Sequence, residues 1–320
     1  MPATLVVRSP IVAAPVPRRA VDRGHRSRSA LPLLLAFLGV VAFSGTLPAT
    51  RVAVQELDAV FVGLGREVLA AVLAAAVLLV LRERPPRRDQ IPGLALTASG
   101  VVVGWPLLSA LALRGVTAAE GAVIVGLLPM ATAVVASLRA GETPSPAFWA
   151  AAGLGLLAVL AFAAVRGAGL PRGKDFVMLG AVLVSAVGYS EGAALAREMG
   201  GWRVISWALV LFAPVLIPFV LIAGVGDGSP GSAEWLGFAY VTVISAFAGF
   251  FAWYAGLARG GIARTSQIQL AQPLLTFAWS ALFLGETISL LTFVTGLAVL
   301  ACVAITQRTR VVEAQPVSTG

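Results

Sequence analysis

The dominant feature of the sequence is a series of apolar blocks, each close to twenty residues long, separated by short charged connections. A helix rises 1.5 Å per residue, so about twenty residues cross a hydrocarbon core roughly 30 Å thick. The blocks are continuously apolar and lack the two-residue alternation of a membrane β-strand. The sequence therefore predicts an all-α integral membrane protein.

Ten such blocks can be distinguished, and we predict that each forms one transmembrane helix. Their ends are defined to within a few residues, as is usual for hydropathy patterns. The predicted spans are Leu31–Ala49, Ala59–Leu81, Ile91–Leu113, Ala118–Leu138, Phe148–Val165, Phe176–Leu195, Val204–Ala223, Trp235–Leu257, Thr265–Leu284 and Leu290–Ile305.

The positions of arginine and lysine test this count independently, because cytoplasmic loops carry the excess of positive charge. With the N-terminus inside, the inner segments hold 17 of the 23 basic residues and the outer segments hold five. This asymmetry predicts that both termini lie in the cytoplasm. The high Ala, Arg and Gly content points to a GC-rich bacterial source, so we expect a bacterial inner membrane. We predict a disordered basic tail at 1–30, in preference to a cleaved signal peptide, and a second cytoplasmic tail at 306–320.

Composition removes several classes of function. Charged residues make up 12% of the chain, against about 25% in soluble proteins. The net charge of +8 lies in tails and connections, so we predict no nucleic-acid partner. The single histidine, His25, and the single cysteine, Cys302, cannot form a His/Cys metal cluster or an intramolecular disulfide. We therefore expect neither enzymatic activity nor a bound metal or cofactor.

The two halves of the chain share a pattern of proline and glutamate. Pro129 precedes Glu142 by thirteen residues, Pro273 precedes Glu286 by the same number, and both glutamates belong to Gly-Glu-Thr triplets. This spacing predicts two five-helix repeats, and an odd number of helices makes the second repeat inverted. We expect the prolines to break their helices and the glutamates to serve helix-end structure or gating salt bridges. The predicted repeats cover residues 31–165 and 174–305.

This arrangement resembles the EamA-type members of the drug/metabolite transporter superfamily. The segment Phe43 to Thr46 and Arg66 also resemble the family pattern, although Phe43-Ser44 replaces the usual Trp-Gly. The resemblance implies proton- or gradient-driven movement of small metabolites, often amino acids and usually outward. By analogy with the family, the first, third, fourth, sixth, eighth and ninth spans would line the cavity.

Two charges inside predicted spans are candidates for transport roles, because each costs about 2.5 kcal/mol or more without a partner, a cavity or access to the interface. Arg66 is expected either to hold a substrate carboxylate or to be paired or snorkelling. Its neighbour Glu67 is expected to point about 100 degrees away. Glu191 lies between Gly188 and Gly192 and is the candidate for proton coupling, with a position near the inner headgroups as the alternative.

The ninth predicted span carries polar side chains at spacings of four, three, four and four, which place them on one helical face. This stripe predicts either the wall of a substrate pathway or interhelical hydrogen bonding. It consists of Thr265, Gln269, Gln272, Thr276 and Ser280.

Three aromatic residues, Trp105, Trp253 and Tyr254, lie away from the expected interfacial belts. They are candidates for stacking on an apolar ligand, with core packing as the alternative.

Taken together, these patterns predict a secondary exporter of small metabolites such as amino acids, working by alternating access. A multidrug or cation exporter and a non-transporting membrane sensor or assembly subunit are the alternatives. The expected partners are a small-molecule substrate and the lipid bilayer, and a homodimer is left open.

Overall fold

The computed structural model describes residues 31–140, 145–166, 170–260 and 266–309. Within these ranges the chain is helical, and no β-strand occurs. Eight helical segments are long and apolar enough to cross a membrane, and two further apolar helices are shorter. The ten-span topology therefore stays a prediction. The segments are α1 (Leu31–Ala53), α2 (Phe61–Val80), α3 (Arg88–Leu113), α4 (Ala118–Val135), α5 (Pro146–Val165), α6 (Gly173–Met199), α7 (Gly201–Ala223), α8 (Ser232–Trp253), and the shorter α9 (Ile268–Leu284) and α10 (Leu290–Ile305).

Several of these segments are not continuous α-helices. The α-helical parts are Leu31–Ser44, Thr46–Ala53, Arg66–Val80, Ile91–Ala98, Trp105–Leu113, Ala118–Val125, Leu128–Ala140, Pro146–Arg166, Gly173–Met199, Gly201–Ala223, Ser232–Ala239, Gly249–Gly260, Gln272–Leu284 and Leu290–Thr309. Wider π-helical turns occupy Phe61–Gly65, Ser99–Gly104 and Tyr240–Ala248, and tighter 3-10 turns occupy Arg88–Gln90 and Ser266–Ala271.

The segments α4 and α9 are interrupted next to their prolines. Pro129 is the second residue of the α-helix Leu128–Ala140, and Pro273 is the second residue of Gln272–Leu284. Proline is well tolerated in a first helical turn, because the N–H that it lacks has no intrahelical acceptor there. The two prolines therefore mark equivalent points at which an α-helix begins anew.

Each segment packs against several others, and one set of these contacts is symmetric along the chain. Segment α2 packs against α7, α4 against α9, α5 against α10, and α3 against α6. Segment α1 packs against Gly249–Gly260, which continues α8. These pairs are symmetric between the first five segments and the last five. If α1 is exchanged with α6, α2 with α7, and so on to α5 with α10, the same set of pairs results.

Segments α3 and α6 approach each other closely at two glycines. A Cβ atom built on Gly100 would lie 2.8 Å from the Cα of Gly188, closer than packed carbon atoms come. Gly100→Ala is therefore expected to push the two helices apart and to destabilise the protein by about 1–3 kcal/mol, measured by thermal unfolding in detergent. Gly153→Ala in α5 is the matched control, because nothing lies within 4 Å of its added methyl group. Equal losses in the two variants would contradict this account of the packing.

Candidate functional site

A cavity lies among the helices, with about 550 Å³ of empty space that includes open solvent. Segments α1 to α4 and α6 to α9 contribute to its wall. The lining residues are Phe43, Thr46, Arg66, Glu67, Val101, Trp105, Val125, Leu128, Tyr189, Ile205, Ser245, Ala246, Phe250, Gln269 and Gln272.

The three π-helical segments supply much of this lining. Arg66 and Glu67 directly follow the first of them, Trp105 directly follows the second, and Ser245 and Ala246 lie within the third. A π-turn holds one more residue than an α-turn, so it changes the direction of the side chains around it. Such turns make up well under 1% of residues in soluble proteins and often occur at functional sites. Here they direct polar and aromatic side chains into one cavity.

A second cavity, with about 390 Å³ of empty space that includes open solvent, adjoins the first and shares Val125, Leu128, Gln269 and Gln272 with it. Pro129 and Pro273 line this second cavity, so it lies where both helices are interrupted. The first N–H groups of an α-helix point outward without intrahelical partners and carry a partial positive charge. Interrupted membrane helices at such a point suit a polar ligand, because their freed backbone groups can bind it.

The charged side chains among the described lining residues form an ion pair. Arg66 Nε donates to Glu67 Oε1 at 2.9 Å, and the two side chains are 3% and 5% exposed. Arg66 Nη1 is also buried and has no hydrogen-bond partner among the described residues. The pair thus has one donor group left to offer to a ligand.

The expectation that Glu67 points away from Arg66 is wrong. Their Cβ directions differ by about 100 degrees on an ideal helix, but the arginine side chain is long enough to reach across its neighbour. Burial favours this contact, because two separated charges would each lose hydration without compensation. Sequence reasoning therefore missed Glu67 as a cavity residue, although an acid adjacent to a buried arginine was a usable signal.

Glu191 and Trp253 are among the predicted site residues that lie outside the linings of both cavities. Glu191 of α6 faces α3, where a Cβ on Gly93 would lie 3.1 Å from Glu191 Oε1. Trp253 is buried against Gly39 of α1 and belongs to a small apolar core with Ala36 and Val40. The missing side chain of Gly39 leaves the space that allows this approach. Glu191 and Trp253 therefore do not contact a ligand in either cavity as the structure stands.

The polar stripe of the ninth predicted span divides into two parts. Gln269 and Gln272 line both cavities, and Thr276 lines the smaller one. Thr276 Oγ1 also donates to the backbone oxygen of Ser44 at 2.8 Å. Ser44 Oγ in turn accepts from Trp279 Nε1 at 2.8 Å. The first bond satisfies a backbone oxygen where α1 is interrupted, and both bonds join α9 to α1.

Three other predicted site residues lie wholly or partly outside the described residues. Thr265 and Glu142 lie outside the described residues, and Tyr254 lies in the helix Gly249–Gly260 with its side chain outside the described set. Trp105 lines the larger cavity, as Arg66, Gln269 and Gln272 do.

Glu286 joins the end of α9 to the beginning of α4. Its Oε1 accepts from the backbone N–H of Ala118 and its Oε2 from that of Ala119, both at 3.0 Å. Thr117 and Glu120 complete this helix start, because each side chain accepts from the other residue's backbone N–H. A carboxylate at a helix N-terminus satisfies unpaired donors and complements the helix dipole. Glu286 thus links residues 168 positions apart.

Comparison with known proteins places this architecture in a family. A family model described as the EamA-like transporter family matches residues 30–164 and again residues 173–307. The chain belongs to the EamA-like transporter family. It is therefore a multi-pass membrane protein of a transporter family, and its cavity is the natural place to look for an EamA-type substrate.

Two individual relatives and one solved structure are also similar to this EamA-family protein. The uncharacterized transporter YdeK of Bacillus subtilis is 43% identical over 273 residues, which cover 85% of this chain and 95% of YdeK. A probable terminal-alkyne amino-acid exporter of Streptantibioticus cattleyicolor is 23% identical over 253 residues, covering 78% and 84% of the two chains. One protein crystal structure superimposes with a TM-score of 0.60 at 18% identity, covering 87% of this chain and 97% of its own. That likeness is one of fold.

Proposed function

We propose that this EamA-family protein is a secondary active exporter of small metabolites, and that its substrates are amino acids with apolar side chains. The observation that carries the proposal is the buried Arg66–Glu67 pair in the wall of the larger cavity, with Arg66 Nη1 left without a partner in the described chain. A guanidinium binds a carboxylate through directed hydrogen bonds, and a carboxylate binds an ammonium group. The pair therefore offers a partner for each charge of a zwitterion.

The remainder of the cavity wall suits the side chain of such a substrate. Phe43, Trp105, Tyr189 and Phe250 present aromatic surface, and Ile205 adds aliphatic surface. An apolar substrate side chain buried there would gain free energy from leaving water, whereas a charged one would meet no further opposite charge among the lining residues.

Alternating access between two inverted five-helix repeats is the mechanism that we propose. The helix pairing supports it, because the pairs are preserved when each segment is exchanged with the one five places along. The interruptions beside Pro129 and Pro273 lie at equivalent places in the two repeats and border the cavities. Rocking one repeat against the other would then open these cavities to each side of the membrane in turn. The arginine distribution supports cytoplasmic termini in a bacterial inner membrane.

Flux in proteoliposomes tests the proposal. We expect purified protein to move ¹⁴C-leucine or ¹⁴C-phenylalanine across the bilayer under an imposed pH gradient. The paired variant Arg66→Gln with Glu67→Gln is expected to lower this flux by tenfold or more, because about 1.5–3 kcal/mol is lost for each hydrogen bond to a charged group. Trp253→Phe is the matched control, since Trp253 packs on Gly39 outside the cavities. Absence of flux for every amino acid with correctly inserted wild-type protein would contradict the proposal.

A cation exporter is the second candidate, and Glu67 is the observation that favours it. A carboxylate that lines the same cavity as the aromatic rings of Phe43 and Phe250 suits an organic cation. Tetraphenylphosphonium in the same vesicles distinguishes the two, because a cation exporter would move it and would not need Arg66.

A further inference from the structure

Glu67 holds a position that a coupling residue needs. It is 4% exposed, lines the cavity in which we place the substrate, and accepts a hydrogen bond from the guanidinium of Arg66. A buried carboxylate is stable as an anion only with a compensating partner, so its charge responds to whatever else enters the cavity. This makes Glu67 sensitive to both a substrate and a proton.

Two charged or titratable groups share the cavity wall with Glu67 among the described lining residues. They are Arg66 and the phenol of Tyr189. Segment α7, which packs on α2, carries Arg203, but its guanidinium pairs with Glu83 at 2.8 Å. The π-helical part of α8, which also packs on α2, carries Tyr240, whose hydroxyl donates to the backbone oxygen of Ala42 at 3.0 Å. Among the described residues, Arg66 is thus the charged group that contacts the Glu67 carboxylate and stabilises its anion.

From this arrangement we infer that Glu67 is the proton-exchanging residue of the transporter, and that a proton and the substrate ammonium group compete for its carboxylate. The inference rests on the proposed function. In the outward step the anionic carboxylate holds the ammonium while Arg66 holds the substrate carboxylate. In the return step one Glu67 oxygen forms an O–H bond with a proton from water on the outer side and releases that proton inside.

Because the proton and the substrate compete for one carboxylate, they cross the membrane in opposite directions. A protonated Glu67 cannot hold an ammonium ion, so substrate and proton do not bind together at this site. One proton enters for each zwitterion that leaves, and one positive charge moves inward, so the membrane potential assists export. No oxidant or other co-reactant takes part.

Glu191 does not fit this role. Its carboxylate faces Gly93 between α3 and α6, and it lies outside the linings of both cavities. Direct competition with a substrate requires contact with the substrate, and Glu67 has the position for that contact.

The test compares two transport modes in proteoliposomes with ¹⁴C-leucine. One mode is leucine–leucine exchange without a pH gradient, and the other is accumulation driven by a pH gradient. In Glu67→Gln, exchange is expected to persist at a severalfold lower rate, because the amide oxygen still accepts from the ammonium. Accumulation is expected to fall to the level of protein-free vesicles. Glu191→Gln, the matched control, is expected to keep both modes.

A second measurement guards against loss of folding in Glu67→Gln. In weakly buffered detergent solution, leucine is expected to release protons from the wild type and from Glu67→Asp. It is expected to release none from the Arg66→Gln, Glu67→Gln pair, which keeps the site neutral. Lowering the pH by one unit is expected to weaken wild-type leucine binding up to about tenfold where Glu67 titrates.

The outcomes separate this inference from the proposed function. Full pH-driven accumulation in Glu67→Gln, or its loss in Glu191→Gln alone, would overturn the role of Glu67 while leaving transport intact. No leucine exchange by the wild type would overturn the proposed function and the inference with it.

Discussion

Replacing Arg66 alone by glutamine is expected to lower the free energy of unfolding by about 3–5 kcal/mol, because the Glu67 carboxylate would stay buried without its counter-ion. Glu67→Gln alone is expected to cost a similar amount, since it leaves the guanidinium buried and uncompensated. The two changes together should cost less than either one, because no charge then remains in the cavity. Thermal unfolding of the four proteins in one detergent measures all three effects.

A surface pair provides the control for this comparison. Arg87 and Asp89 form an ion pair at 2.8 Å, as Arg66 and Glu67 do at 2.9 Å, but both surface side chains are 66% exposed. Arg87→Gln is expected to leave the unfolding midpoint unchanged, because water solvates the remaining carboxylate. Additive losses at Arg66 and Glu67 would contradict the pairing, since independent residues contribute independently.

Glu286→Ala is expected to cost about 1.5–3 kcal/mol, because two backbone N–H groups at the start of α4 lose a charged acceptor. Glu286→Gln should have an intermediate effect, since its one carbonyl oxygen can still accept from Ala118 or Ala119. Hydrogen–deuterium exchange should show the loss locally, with faster exchange in a peptide that begins at Ala118 than in one that begins at Leu128. Thermal unfolding gives the total effect.

Glu234 is the matched control for Glu286. Its carboxylate also accepts from a backbone N–H, but that N–H belongs to Gly231, three residues away. Glu234→Ala is therefore expected to loosen only the first turn of α8. If Glu286→Ala changes exchange no more widely than Glu234→Ala does, its carboxylate is a local cap and does not hold α9 against α4.

Hydropathy was sufficient to predict where the described helices lie, because eight of the apolar blocks form helices as long as a membrane is thick and two form shorter apolar helices. The spacing of polar residues placed Gln269 and Gln272 on one helical face, and both line the cavity. Residues three positions apart lie on one side of an α-helix and of a 3-10 turn. The prediction for these two residues therefore holds although Ser266–Ala271 is a 3-10 turn.

Glu67 and Trp253 could not be placed in this way. A helical wheel gives only the direction in which each side chain leaves an ideal α-helix. It does not include the length of the arginine side chain, which lets Arg66 reach Glu67. The position of Trp253 depends on Gly39, a residue more than two hundred positions away that leaves room for the backbone and Cβ of Trp253. Contacts of that kind depend on which helices are paired, and hydropathy does not encode pairing.

The π-helical turns before Arg66 and Trp105 also have an evolutionary consequence. Each such turn is equivalent to one inserted residue, and losing that residue would rotate everything after it by about 100 degrees around the helix axis. A relative could therefore present different side chains to its cavity through a single-codon deletion, with every remaining amino acid unchanged. Alignments that score substitutions alone would overlook such a change of specificity.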